Sequence, residues 1–257
     1  MLFRSEKYFG KKEYGNDKDF DGNWGIWDEP YLQYFASELN KQPTPFFASL
    51  FTLSSHHPYR LPDKYKNRFV NNGLEISPTI GYTDNALRLF FASAKNTTWY
   101  DNTLFVLVPD HTGISSDPFY ANPIGQHSIP IIFYSPKGEF KGKSNTLVQQ
   151  SDILPSILDT LGFKQPFFSF GKSAFTFKPE HFALFYDSGN FYSINDSMCF
   201  VFSNFELKRV YNYKNDSLLQ VNMSGKFKDL EKNALRYFRN FTQLYHHSLN
   251  SNSTFQE

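Results

Sequence analysis

One stretch constrains the rest of the chain most. Leu104, Phe105, Val106, Leu107 and Val108 form an apolar run that stops, after Pro109, on a carboxylate and an imidazole, Asp110 and His111. The run is apolar on both side-chain parities, which predicts a strand buried on both faces. In open α/β sheets built from such strands, ligands bind beyond the carboxyl ends of the strands. Asp110 and His111 fall at that end. A carboxylate oxygen beside an imidazole nitrogen is a usual donor pair for a divalent metal. From the dipeptide alone a plainer reading stands beside it, in which Asp110 caps the next turn and His111 is a solvated loop residue.

The same pattern occurs earlier. Residues 46–53 are Phe, Phe, Ala, Ser, Leu, Phe, Thr and Leu, and they run into Ser54, Ser55, His56, His57, Pro58 and Tyr59. A second buried strand with a polar, imidazole-bearing tip is predicted there. Between the two strands, Ala86, Leu87, Phe90, Phe91 and Ala94 give residues 82–94 a helical apolar stripe. Strand, helix, strand is the right-handed crossover unit. It would make the two strands parallel neighbours and bring His56 toward Asp110 and His111.

Other elements follow. Residues 30–39 read as a helix, with Pro30 in its first turn and Tyr31, Tyr34, Phe35 and Leu39 on one stripe. His127 precedes a third strand over residues 128–134, where Pro130 suits a strand start or an edge. Residues 151–161 read as a capped helix closed by Gly162. From His181 the texture changes to short alternating segments, 182–186, 190–194, 199–202 and 206–211, split by Asn, Asp, Gly and Ser. These predict a small antiparallel sheet. A final amphipathic helix covers residues 226–248, with Leu230, Ala234, Leu235, Phe238, Phe241 and Leu244 on one side. The texture change divides the chain into residues 1–178 and 179–257.

Several classes are excluded or disfavoured. The net charge of +1 makes no electrostatic case for nucleic acid or an anionic membrane surface. A single cysteine, Cys199, forbids an intrachain disulfide. No apolar run approaches a membrane span, and no signal segment opens the chain. Met1 to Lys7 reads like the interior of a domain. The 30 Phe and 16 Tyr favour a large core with stacking surfaces. Asp17, Asp19 and Asp21 have calcium-loop spacing but lack the Gly and the bidentate Glu such a loop requires. They read instead as turn formers in a surface loop, which Trp24 and Trp27 anchor to the body. His246 and His247 end the last helix, where cations are tolerated, and receive no catalytic role.

Four motifs now stand in order: Trp24-Gly25-Ile26-Trp27-Asp28, Thr52-Leu53-Ser54-Ser55-His56-His57-Pro58-Tyr59, Asp110-His111-Thr112-Gly113 and Asp152-Ile153-Leu154-Pro155. With them the chain resembles the lipoteichoic acid synthase-like branch of the sulfatase and alkaline phosphatase superfamily, from about Tyr8 to about Gly171 and more loosely beyond. The resemblance implies an α/β, alkaline phosphatase-like three-layer sandwich. Its sheet would be mostly parallel, with the N-terminal strands missing, and a small antiparallel sheet and a helix would follow. It implies an extracytoplasmic, membrane-anchored lineage acting on sulfate or phosphate esters of anionic envelope lipids or glycans, as a hydrolase or a phosphoglycerol-type transferase. The metal would be manganese, with magnesium or calcium as alternatives. Asp110 and His111 match the family's metal ligands. His56 matches the histidine that binds the substrate's anionic head, and His127 could reach the same site.

The departures are as informative. The family's Thr, Ser or formylglycine nucleophile, an acidic metal ligand and the transmembrane helices all lie upstream of these motifs. None has a counterpart in this chain, so no catalytic nucleophile is assigned. Cys199 sits in Met198-Cys199-Phe200-Val201, which is not a formylglycine context, and Pro109 replaces the Gly or Ser that usually precedes Asp-His. The chain is therefore expected to be the C-terminal part of such an enzyme, partnered by upstream polypeptide that carries the rest. One rival expectation is a non-catalytic remnant that binds an anionic glycan or lipid head. Another is a structural surface domain that associates through its Phe and Tyr.

Overall fold

The structure, a computed structural model, describes residues 6–176 and 181–253. Residues 1–5 and the expected boundary between residues 178 and 179 lie outside the described residues. The described residues form two compact units, one of residues 6–120 and 128–142, the other of residues 121–127, 143–176 and 181–253.

In the first unit, helices α1 (Asp28–Leu39) and α2 (Ser77–Ala94) pack together. Pro30 falls in the first turn of α1, where a missing N–H leaves no bond unmade. Leu32, Ala36 and Leu39 meet Ala86, Phe90 and Ala94, and Trp99 and Tyr100 close the cluster. The alanines let the helices approach, and Phe35 stacks on Phe90 at 6.1 Å. Tyr82 is fully buried among Trp27, Tyr65 and Phe69. Its hydroxyl accepts the Glu29 N–H at 3.1 Å. Strands β1 (Phe105–Leu107) and β2 (Ile132–Tyr134) pair with Phe105 opposite Tyr134, and both rings pack on the helix cluster.

Three expectations change here, while the α/β class stands. Residues 46–53 are extended but have no ladder partner among the described residues. Propensity makes the backbone extended; a strand also needs a neighbour. Phe46 and Leu50 face the helix cluster, whereas Phe47 and Phe51 are 83% and 64% exposed. The ladder that does form, β1 with β2, is antiparallel. The chain between these strands carries only single helical turns, so no crossover helix returns it in parallel. β1 is half-buried rather than sealed on both faces, and Val108 is exposed.

In the second unit, a turn at Gln150–Asp152 leads into α3 (Ile153–Thr160). Asp152 is buried and accepts the N–H groups of Gln149 and Lys172 at 2.9 and 2.7 Å. Gly171 passes so close that a Cβ there would lie 2.0 Å from the Ser151 carbonyl oxygen, which excludes any other residue. Strands β3 (Phe182–Asp187), β4 (Asn190–Asn195), β5 (Met198–Ser203) and β6 (Glu206–Asn212) form an antiparallel meander in that order. Helix α4 (Lys228–Asn250) covers one face. Its Phe238 lies parallel to Phe202 at 4.3 Å and packs with Met198, Phe200 and Val210. Leu230 and Leu244, expected on that face, are exposed. At 100° per residue they stand about 80° and about 120° from Phe238, at the margin of a stripe wider than the sheet contact.

Candidate active site

β1 delivers the Asp-His pair. Asp110 Oδ1 accepts the His111 N–H at 2.9 Å, and His111 Nε2 lies 3.6 Å from Asp110 Oδ2. The side chains therefore point the same way, as a shared metal requires, and both open to solvent. His111 Nδ1 sits 2.8 Å from the Thr112 carbonyl oxygen. When Nδ1 carries the proton, the Nε2 lone pair faces the carboxylate. Two electron-rich atoms held that close are stabilised by a cation or a proton. Gly113 lets the loop pass close to α2: a Cβ there would lie 2.6 Å from Ile76 Cδ1.

The His56 turn is held by a residue the sequence reading gave no role. Asp28, at the start of α1, is only 2% exposed. Its Oδ1 accepts the N–H groups of Leu53 and Ser54 at 2.9 and 3.1 Å, and its Oδ2 accepts the Thr83 hydroxyl at 2.6 Å. The Asp28 N–H in turn donates to Ser54 Oγ. One carboxylate thus ties α1 and α2 to the turn that carries His56. Its place at the end of the Trp24-Gly25-Ile26-Trp27-Asp28 motif was the one signal the sequence offered; its burial and its partners have no local one.

Trp24 completes the support. Its ring lies 4.1 Å from the His56 ring, and its Nε1–H donates to the His57 carbonyl at 2.7 Å. His56 Nδ1 is 3.0 Å from that same carbonyl, which leaves Nε2 as the outward atom. Trp24 is thus the loop anchor expected, and what it anchors is His56. The loop's acids serve the loop: Asp21 Oδ1 accepts from Asn23, Trp24 and Gly25, and Asp19 accepts from Tyr14 and Asn16. His57 is exposed, edge-on to Tyr59.

His127 belongs to the second unit. Its ring stacks on Phe185 at 4.1 Å and 18°, and its Nδ1 lies 2.8 Å from the Pro123 carbonyl oxygen. Among the described residues, no three His, Cys, Asp or Glu side chains are grouped to hold a metal. Asp110 and His111 fit two positions of such a centre and no more. No helix of the described residues is long and apolar enough to cross a membrane.

A model of the sulfatase family matches residues 4–163, which include the Trp24, His56 and Asp110 motifs. The chain belongs to the sulfatase family. Lipoteichoic acid synthase 1 of Bacillus subtilis is 27% identical over 190 residues, covering 66% of this chain and 29% of that protein. The lipoteichoic acid synthase of Staphylococcus aureus strain NCTC 8325 is 25% identical over 250 residues, covering 86% and 37%. This sulfatase-family chain is thus similar to lipoteichoic acid synthases and spans well under half the length of those relatives. Among solved structures, an alkaline phosphatase superfamily protein from Vibrio parahaemolyticus superposes with TM-score 0.78 at 20% identity, covering 96% of this chain and 60% of its own. The phosphonate monoester hydrolase of Agrobacterium radiobacter gives 0.63 at 13% identity, covering 91% and 66%. These two likenesses show the fold, that of the alkaline phosphatase superfamily.

Proposed function

We propose that this chain carries the metal-facing and anion-facing part of a sulfatase-family catalytic domain that acts on phosphate or sulfate esters, as a hydrolase or a phosphoglycerol-type transferase. The observation that carries the reading is the convergence of Asp110 Oδ2 and His111 Nε2 to 3.6 Å just beyond β1. Asp110 and His111 would hold a divalent ion, manganese or else magnesium or calcium. Such an ion supplies Lewis-acid polarisation of an ester oxygen. His56, protonated at Nε2, donates to a non-bridging oxygen and orients the anionic head. Trp24 and Asp28 fix that imidazole. His127 has no part in this reading, since Phe185 and Pro123 already engage its ring and Nδ1.

The nucleophile and a further metal ligand would come from polypeptide beyond residues 1–257. Two observations support this. The chain covers 29% and 37% of two curated relatives. Residues 46–53 are extended and unpaired among the described residues, with Phe47 and Phe51 exposed, as strands awaiting neighbours are. The names of those relatives, which refer to lipoteichoic acid, favour an anionic envelope lipid or glycan as substrate, and the family resemblance implies the extracytoplasmic face of the membrane. A second reading, binding of the anionic head without turnover, is favoured by the two-donor site alone.

The test is to assay purified residues 1–257 with manganese on p-nitrophenyl phosphate, p-nitrophenyl sulfate and a phosphatidylglycerol analogue. The chain alone should bind the metal and turn over none of them at an enzyme-like rate. Metal-dependent turnover that disappears in Asp110→Ala would show a complete site here and overturn the division of the catalytic machinery.

A further inference from the structure

We propose that the face of the C-terminal sheet opposite α4 carries a second binding site, for a small organic oxyanion. It rests on none of the residues of the ester site. The register places Phe185, Tyr192, Val201 and Arg209 in one row across β3 to β6. Tyr211, two residues along β6 from Arg209, shares that face by the alternation of a strand. Phe200 and Val210, on the opposite parity, pack with Phe238 of α4, so the row is not part of that core.

A cavity of about 210 Å³ is lined by Tyr192, Val201, Arg209 and Tyr211 together with Asn122, Pro123, Leu218 and Leu219. Its polar groups have little else to do. Tyr192 and Tyr211 are each only 7% exposed as whole residues, and neither hydroxyl has a hydrogen-bond partner among the described residues. Both hydroxyls are therefore free to donate to a ligand. The Arg209 guanidinium likewise makes no ion pair or hydrogen bond among the described residues. The cations around it are engaged: Lys208 pairs with Glu206, and Arg239 donates to the Phe205 carbonyl. Asn122 is already used, capping the turn at Ile124 and donating to the Ser217 carbonyl. One wall is pinned, because Asp216 accepts the N–H groups of Leu219 and Val221.

These features define the ligand's chemistry. Three residues that can donate line it, two tyrosines and an arginine, and no carboxylate does. Burial pushes the Tyr192 hydroxyl above its ordinary pKa, so it stays a donor at neutral pH. The remaining lining is aliphatic: Val201, Pro123, Leu218 and Leu219. The volume equals about seven waters of liquid at ~30 Å³ each. The occupant is one oxyanion on a compact apolar body, at the scale of a single ring.

The experiment follows ¹³C and ¹⁵N shifts of the full chain during titration with benzoate, phenyl phosphate, benzyl alcohol and inorganic phosphate. Benzoate and phenyl phosphate should give saturable shifts at Tyr192, Tyr211 and Leu218. Benzyl alcohol, the neutral analogue, and inorganic phosphate, which lacks the body, should bind at least tenfold more weakly. Arg209→Gln should weaken both organic anions at least tenfold, Arg209→Lys should recover part of that, and Tyr211→Phe should weaken them severalfold. Arg209 is exposed, so the variants should fold, and their spectra report it directly. Shifts that centre elsewhere, fail to saturate in the millimolar range, or persist unchanged in Arg209→Gln would overturn the site. Equal binding of inorganic phosphate or benzyl alcohol would overturn its ligand class.

Discussion

Replacing Asp28 should unlatch the His56 turn, and the cost can be worked from the geometry. Asp28→Ala removes the acceptor of three hydrogen bonds, from Leu53 N–H, Ser54 N–H and the Thr83 hydroxyl, at a position 2% exposed. Hydrogen bonds to a charged group contribute about 1.5–3 kcal/mol each. The sum is an upper bound, because water can enter the space the carboxylate leaves and the threonine hydroxyl can rotate to another acceptor. A loss of about 3–4 kcal/mol is expected, a large part of the ~5–15 kcal/mol that holds a domain folded. Asp28→Asn keeps one oxygen for the two backbone N–H groups, and Thr83 can reverse its role, so about 1–1.5 kcal/mol should be lost. The assay is urea unfolding followed by tryptophan fluorescence. All three tryptophans, Trp24, Trp27 and Trp99, lie in the first unit, so the signal reads that unit alone. An Asp28→Ala variant within about 1 kcal/mol of the parent, or an Asp28→Asn variant just as damaged, would refute the latch.

Two further predictions concern the second unit. Phe238→Ala should cost about 3–5 kcal/mol and Phe238→Leu about 1–1.5, read by urea unfolding of the sheet in circular dichroism, because Phe238 is 1% exposed and stacked on Phe202. Burial pushes the Cys199 thiol up to about 12, so a thiol reagent should leave it untouched until the unit unfolds. The folded state then keeps a proton that the unfolded chain releases near its ordinary value of about 8.5. This group's contribution to stability is full below about pH 8.5 and declines as pH rises toward about 12, which unfolding from pH 8 to 11 in the parent and in Cys199→Ala would measure.

What the residues disclosed follows from how local the cause was. The C-terminal meander was legible because its hairpins are set by turn chemistry: Ser188, Asp196 and Asn204 take positive φ where Ser, Asp, Asn and Gly break the alternation. The donor pair at Asp110 and His111 was legible because a strand end is marked by its own residues. Residues 46–53 carry the composition of a strand, but the neighbour that makes a ladder is not encoded in the segment. Asp28 stands in the first of the four motifs, but its role was not legible there, because it rests on Leu53, Ser54 and Thr83, which meet it only in the fold. The stacking of His127 on Phe185 is likewise a contact between distant stretches, with no trace near either residue.

The central claim is that Asp110 and His111 hold a divalent ion within reach of His56. Manganese broadens nearby nuclear resonances, and the chain has seven histidines whose ring signals can be assigned by substitution. Sub-stoichiometric manganese should broaden His111 first and His56 and His57 next, and do none of this in Asp110→Ala. A His111 signal that stays sharp while others broaden, or a broadening pattern unchanged in Asp110→Ala, would contradict the account.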